Sequence, residues 1–136
     1  LACDKADKWF LQQHPKILGL PFRGNMKRPE KANTVDQVIL WDQLSEREKD
    51  ATRHALTAEP ERLSAEERNE WIRKYGGVCL SSDAFIPFRD NIDRAGRSHV
   101  QYVAQAGGAM RDDDVTRAAD EYGMVMAHTG LRCFLH

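Results

Sequence analysis

Val78-Cys79-Leu80-Ser81-Ser82-Asp83-Ala84-Phe85-Ile86-Pro87-Phe88-Arg89-Asp90-Asn91 is the stretch that decides the fold. Residues 78–80 are a short apolar run directly after the glycine pair Gly76-Gly77, and they predict a buried strand. Ser81-Ser82-Asp83 and the Phe-Ile-Pro-Phe segment break that run and predict a loop. Phe88, Ile92 and Ala95 then recur at i, i+4 and i+7, which predicts a short helix with Pro87 in its first turn.

The same theme repeats toward the C-terminus. Gly96-Arg97-Ser98 is a turn and residues 100–104 form a second strand. Gly107-Gly108 marks a loop, and Val115, Ala118, Ala119 and Tyr122 make one face of a helix closed by Gly123. Residues 124–127 read as a third strand, followed by a tail over 129–136. This β-α-β-α-β alternation predicts an α/β unit over 78–136 with a largely parallel sheet and right-handed crossovers. In such a sheet the loops leaving the carboxyl ends of the strands share one edge, where ligands bind. Residues 81–91, 106–112 and 129–136 are therefore expected to converge.

The N-terminal half reads as a mainly helical segment, 1–77. Residues 2–13 carry Ala6, Phe10 and Leu11 near helical spacing and end at His14-Pro15. Residues 17–22 are apolar but interrupted by Gly19 and Pro21, which suits a buried turn or short strand, and 23–29 read as a loop. Three capping-box spacings follow: Thr34 with Gln37, Ser45 with Glu48, and Ser64 with Glu67. The first helix is expected to bury Val35, Val38 and Ile39 and to end near Leu44. The second, 46–56, is highly charged and expected to lie exposed. The third, 65–75, is expected to bury Trp71, Ile72 and Tyr75 and to stop at Gly76-Gly77.

Composition sets the outer limits. The chain has 136 residues with 41% hydrophobic and 30% charged, enough for a domain with a real core. A net charge of −1 provides no field to recruit nucleic acid or anionic membrane. No apolar run reaches the length of a membrane span, and no signal-peptide pattern opens the chain. Cys3, Cys79 and Cys133 are odd in number and unrelated in spacing, which suits reduced thiols in an intracellular protein. The chain opens at Leu1 with no start signal, so a preceding segment is expected.

Each candidate loop has two uses. The Gly107-Gly108-Ala109-Met110 backbone allows close approach by a ligand. Against an anion stand Asp112, Asp113 and Asp114, which would cap the helix and repel negative charge; an acidic-capped turn is the commoner meaning. Phe85, Pro87 and Phe88 suit an apolar wall for an aromatic ligand flanked by Asp90 and Asn91. They suit core packing equally, and for Phe88 the helical spacing favours core. Arg132 in an apolar tail suits a bidentate grip on phosphate or carboxylate, or simply a solvated surface. His128 at a strand end reads as structural; His99 precedes a strand, and His14 and His54 have no partner in view. The H-x-E with P-C-x-x-C pattern of zinc deaminases is absent, and no Ser-His-Asp grouping has supporting motifs.

Three separated segments resemble one family. They are residues 81–91 (SSDAFIPFRDN), 105–112 (QAGGAMRD) and 128–136 (HTGLRCFLH), in that order. The family is the bifunctional purine biosynthesis enzyme, aminoimidazolecarboxamide ribonucleotide (AICAR) transformylase and inosine monophosphate (IMP) cyclohydrolase. The opening Leu1-Ala2-Cys3-Asp4-Lys5-Ala6 and residues 27–33 are similar to it as well, and the likeness is weakest over 45–70. It implies that this chain is the C-terminal portion of a cytoplasmic, homodimeric enzyme with the transformylase site between subunits. It also implies a cytidine-deaminase-like unit over 78–136 without zinc.

The implied reaction moves a formyl group from 10-formyltetrahydrofolate to the 5-amino group of AICAR, with ring closure to IMP at a separate domain. The catalytic Lys-His pair would lie upstream, leaving no catalytic residue in this chain. The resemblance assigns AICAR contacts to Phe85, Arg132, Phe134, His136 and Asn33, and folate contacts to Pro87, Phe88, Asp90, Asn91, Ala109 and Met110. In some members a structural potassium ion is held where Asp83 and the Cys133 carbonyl fall. Ile86 departs from the pattern, where a second Phe is common and a conservative wall change is expected; Leu135 replaces a basic residue or His. The competing expectation is a stand-alone, non-catalytic α/β binding or regulatory domain derived from that family.

Overall fold

The computed structural model describes residues 1–134, and the chain divides into two compact units, Leu1–Trp71 and a second beginning at Ile72. No helix among the described residues is long and apolar enough to cross a membrane.

The first unit is helical. Helix α1, Ala2–Gln12, ends where His14-Pro15 forbids continuation. The 17–22 segment differs from expectation, because its first two residues belong to a short helix α2, Pro15–Leu18. His14 caps α2 by accepting from the Lys16 amide at 3.1 Å, and its ring meets Trp71 edge-on at 4.7 Å. Phe22 then makes a single antiparallel bridge to Leu56.

Helix α3, Arg28–Ile39, begins well before Thr34. Pro29 sits in its first turn and the Glu30 carboxylate accepts from the Lys27 amide at 2.7 Å. Thr34 is therefore mid-helix and buried, donating its hydroxyl back to the Glu30 carbonyl. The helix ends at Ile39, and Trp41–Gln43 makes a 3-10 turn that buries Trp41 beneath the guanidinium groups of Arg53 and Arg62.

The other two caps form at the expected residues. Ser45 and Glu48 close a reciprocal box on α4, Glu46–His54, and Ser64 and Glu67 do so ahead of α5, Ala65–Arg73. Helix α4 is mostly exposed as expected, but Lys49 and Arg53 are half-buried, Thr52 is fully buried, and Leu56 just beyond the helix is buried in the core. His54 gains a partner the sequence did not indicate, the Asp50 carbonyl at 2.6 Å. On α5 Ile72 is buried, Trp71 is half-buried with its indole N–H donating to the Phe10 carbonyl, and Tyr75 is exposed rather than buried. Gly76 and Gly77 end the helix with φ of 59° and 61°.

The second unit is α/β with a three-stranded, all-parallel sheet. Strands β1 (Val78–Ser81), β2 (Val100–Gln105) and β3 (Val125–His128) lie in the order β1-β2-β3. Helices α6 (Asp90–Arg97) and α7 (Asp112–Glu121) pack on the sheet and on each other, so both cover one face. Ile92, Ala95, Val115 and Ala118 are fully buried there, against the Leu80-Val103-Met126 row. The opposite row, Cys79-Tyr102-Val125, is exposed.

Helix α6 starts at Asp90, so Pro87 lies in the loop rather than in its first turn. Tyr122 is half-exposed instead of inward-facing, and its hydroxyl donates to Asp93. Arg89 clamps α6 to α7 through Asp93 at 3.0 Å and Glu121 at 2.8 Å. Those carboxylates push the Arg89 guanidinium further toward its charged form, and Arg89, with Tyr122, lowers the Asp93 carboxyl.

Candidate functional site

Because the strands are parallel, the segments leaving β1, β2 and β3 emerge at one edge, and backbone hydrogen bonds fasten them together. Ser82 N–H donates to the Ala104 carbonyl at 2.9 Å. Thr129 N–H donates to the Gln105 carbonyl at 2.8 Å and Gly130 N–H to the Ala106 carbonyl at 3.0 Å. The tail then turns back to the first loop, where Cys133 N–H donates to the Asp83 carbonyl at 2.8 Å. The expected convergence of 81–91, 106–112 and the described part of 129–136 is thus present. His136 lies outside the described residues.

The first loop presents its aromatics to solvent. Phe85 is 42% and Phe88 53% exposed, so Phe88 is not core. The reason is local: α6 begins after Phe88, which removes it from the helical face that Ile92 and Ala95 share. Ile86 is 5% exposed and points inward, so it is a core residue and no part of a surface wall. Pro87 is exposed beside it. Asp90 is exposed in the first turn of α6 and accepts from the Asn91 side-chain amide at 3.2 Å.

The second loop is closed on itself. The Asp112 carboxylate accepts from the Gly108 amide at 2.6 Å and the Ala109 amide at 3.0 Å, and Asp112 N–H donates to the Ala109 carbonyl. These two amides are taken by Asp112, which closes the loop ahead of α7 and makes no side-chain cap on the helix's own amides. Met110 extends fully into solvent, and Arg111 lies over the Phe88 ring at 5.5 Å, joining the second loop to the first. Gly107 has a φ of 76°, and a Cβ there would meet the His128 ring at 3.2 Å, so a side chain is excluded by backbone conformation and by space.

In the tail, Arg132 stacks on Phe134 at 3.9 Å from the ring centre, is exposed, and has no acidic partner among the described residues. Asp83 and Cys133 are held side by side by their backbone bond, and both are exposed. Asn33 lies exposed on α3, in the first unit. Among the described residues no three His, Cys, Asp or Glu side chains cluster as a metal site.

One residue of this edge was missed as a site candidate. Gln105 is 1% exposed at the end of β2. Its Oε1 accepts from the Ile86 amide at 2.7 Å, and its Nε2 lies 3.3 Å from His128 Nε2 and 3.2 Å from the Met126 sulfur. A signal was present in the sequence: in Val100-Gln101-Tyr102-Val103-Ala104-Gln105, position 105 shares the inward face with Val103. A polar residue on a buried face must find partners.

The edge therefore combines exposed aromatic surface, the exposed carboxylates of Asp83 and Asp90, and Arg111 and Arg132, which have no acidic partner among the described residues, on a hydrogen-bonded backbone frame. That combination can hold a planar ligand bearing negative charge. No family model matches the chain.

Proposed function

We propose that this chain is the C-terminal portion of an AICAR transformylase joined, in the complete polypeptide, to IMP cyclohydrolase. It would supply the substrate-holding half of a cytoplasmic enzyme that acts in purine synthesis. The observation that carries this reading is that the three segments resembling the family meet at the carboxyl edge of one parallel sheet. The second unit corresponds, in this reading, to the family's cytidine-deaminase-like module.

In the proposed reaction the AICAR amine attacks the formyl carbon of 10-formyltetrahydrofolate, its proton passes to a base, and the bond from that carbon to the folate nitrogen breaks, tetrahydrofolate leaving with a proton on the nitrogen. The amine is delocalised into its ring, so a positioned base must assist it. That base would come from the Lys-His pair of the preceding part of the chain. The residues here bind and orient. Arg132, a planar fork already stacked on Phe134, would grip the nucleotide's anionic group. Phe85 would lie against its base; the resemblance assigns AICAR contacts to Asn33 and His136 as well. Phe88, Pro87 and Met110 would form the apolar bed for folate, with Asp90 and Asn91 as its polar partners and Ala109 as a backbone contact. Asp83 and Cys133 offer a carboxylate and a carbonyl oxygen, donors of the hard type a potassium ion takes. Such an ion would stiffen the edge and take part in no chemical step. The complete enzyme would be a homodimer.

The test begins with the coding sequence upstream of Leu1, which should encode a Lys-His-bearing transformylase segment. In the intact enzyme, Arg132→Ala should raise the KM for AICAR and leave cyclohydrolase activity unchanged. Asp90→Ala should act mainly on the KM for folate. Equal loss of both activities would indicate misfolding, and an absent upstream segment would remove the enzyme assignment.

A further inference from the structure

We propose that Gln105 is the positioning residue of this edge: it holds the Phe85-bearing loop in register and dictates the tautomer of His128. The proposal rests on the edge being the ligand-binding site; the hold on the loop is independent of which ligand binds.

The amide of Gln105 can be oriented in only one way. The Ile86 N–H is a donor, so the Gln105 atom 2.7 Å from it is the carbonyl oxygen. The NH2 group must then face β3, where it lies 3.3 Å from His128 Nε2 and 3.2 Å from the Met126 sulfur. An NH2 group has no acceptor capacity, so His128 Nε2 must be the unprotonated nitrogen and its hydrogen must sit on Nδ1. One buried side chain therefore links three segments: the first loop at Ile86, the second at its own position, and the third at His128. Its backbone carbonyl adds the bond from Thr129.

The consequence for the site is geometric. Ile86 is buried while its neighbours Phe85 and Pro87 are exposed. Fixing the Ile86 amide fixes the direction in which Phe85 leaves the loop. Backbone bonds tie the first loop at Ser82 to Ala104, at Asp83 to Cys133 and at Ala84 to Ala106, the last at a long 3.4 Å. Beyond that point, until Asn91 bonds to Phe88, the Gln105 oxygen is the short bond holding the segment. Gln105 acts through this loop and does not touch substrate.

The test compares the wild-type chain with Gln105→Leu and Gln105→Glu. In the wild type, side-chain nitrogen resonances should report His128 with hydrogen on Nδ1. Gln105→Leu should speed Ile86 amide exchange on the order of tenfold or more, the loss of one buried hydrogen bond. Gln105→Glu keeps an acceptor for Ile86 and should restore its protection, while reversing His128 so that Nε2 carries a hydrogen and donates to the new carboxylate. In the intact enzyme, Gln105→Leu should raise the KM for AICAR with a smaller change in kcat, and Gln105→Glu should recover part of it. A wild-type His128 with its hydrogen on Nε2 would overturn the tautomer assignment, and unchanged Ile86 exchange in Gln105→Leu would overturn the hold on the loop. Faster exchange with an unchanged KM in active enzyme would overturn the positioning role. If the wild-type protein has no transformylase activity, the functional reading falls, while the exchange and tautomer measurements still decide the role of Gln105. Should Gln105→Leu fail to fold, the wild-type tautomer and its reversal in Gln105→Glu carry the test.

Discussion

Replacing Asp112 by alanine should unfasten the loop between β2 and α7. Its carboxylate serves two backbone amides, Gly108 at 2.6 Å and Ala109 at 3.0 Å, at the N-terminal end of a ten-residue helix. A hydrogen bond to a charged group contributes about 1.5–3 kcal/mol, and solvent exposure reduces it. The second amide and the favourable helix dipole raise the expectation, and the half-exposed setting lowers it; about 1.5 kcal/mol is reasonable. With a urea m-value of about 1 kcal/mol/M for a unit this small, the midpoint should fall by roughly 1–1.5 M. Asp112→Asn keeps one acceptor oxygen without the charge and should lose about half as much. Trp9, Trp41 and Trp71 all belong to the first unit, so tryptophan fluorescence is the wrong probe. Far-UV circular dichroism and amide exchange over residues 106–115 are the right ones. An Asp112→Ala midpoint equal to wild type, with those amides equally protected, would refute the loop-closing argument. Tighter phosphate binding by Asp112→Ala would show instead that the freed amides are an anion site held shut by the aspartate.

Glu67 carries a pH prediction for the first unit. Lys16, hydrogen-bonded at 2.7 Å, and the Ser64 amide hold its carboxyl at about 2, below the ordinary 4.5. A depressed folded-state value means the stabilisation is complete above pH 4.5 and is lost as pH falls toward 2. Glu67→Gln should therefore flatten the acid limb of a tryptophan-monitored titration between those values; an unchanged limb would show that the contact is silent in solution. Ile92→Ala removes a fully buried side chain between α6 and the sheet and should cost about 2–5 kcal/mol by denaturant unfolding. A loss under about 1 kcal/mol would mean that the site collapses around the cavity.

Much of the second unit was legible because its signals are short-range. The run at 78–80, the glycine-marked turns and the Val115-Ala118-Ala119 face each lie within one element, and each element formed. The strand expected to be buried is half-buried at Val78 and Leu80 and exposed at Cys79, because helices cover only one face of the sheet. The common edge followed from alternation alone, since parallel strands must point their carboxyl ends the same way. Ser45 and Ser64 capped their helices because partner and cap are three residues apart. Thr34 has the same spacing and fails, because Pro29 and Glu30 start the helix earlier and a hydroxyl inside a helix bonds backward. Phe88 was misjudged by one helical turn: its spacing from Ile92 is helical, but the helix begins at Asp90.

The sequence by itself determined which segments could be strand, helix and turn, and that three loops would meet at one edge. Only the tertiary structure decided what each residue at that edge does. Whether the Ala109 amide is open or capped, whether Phe85 and Ile86 face out or in, and why position 105 is a glutamine all depend on atoms brought together by chain closure. Gln105 meets Ile86 across 19 residues and His128 across 23. Periodicity reports which way a side chain points from its own backbone, and it carries no information about the partner waiting on another strand.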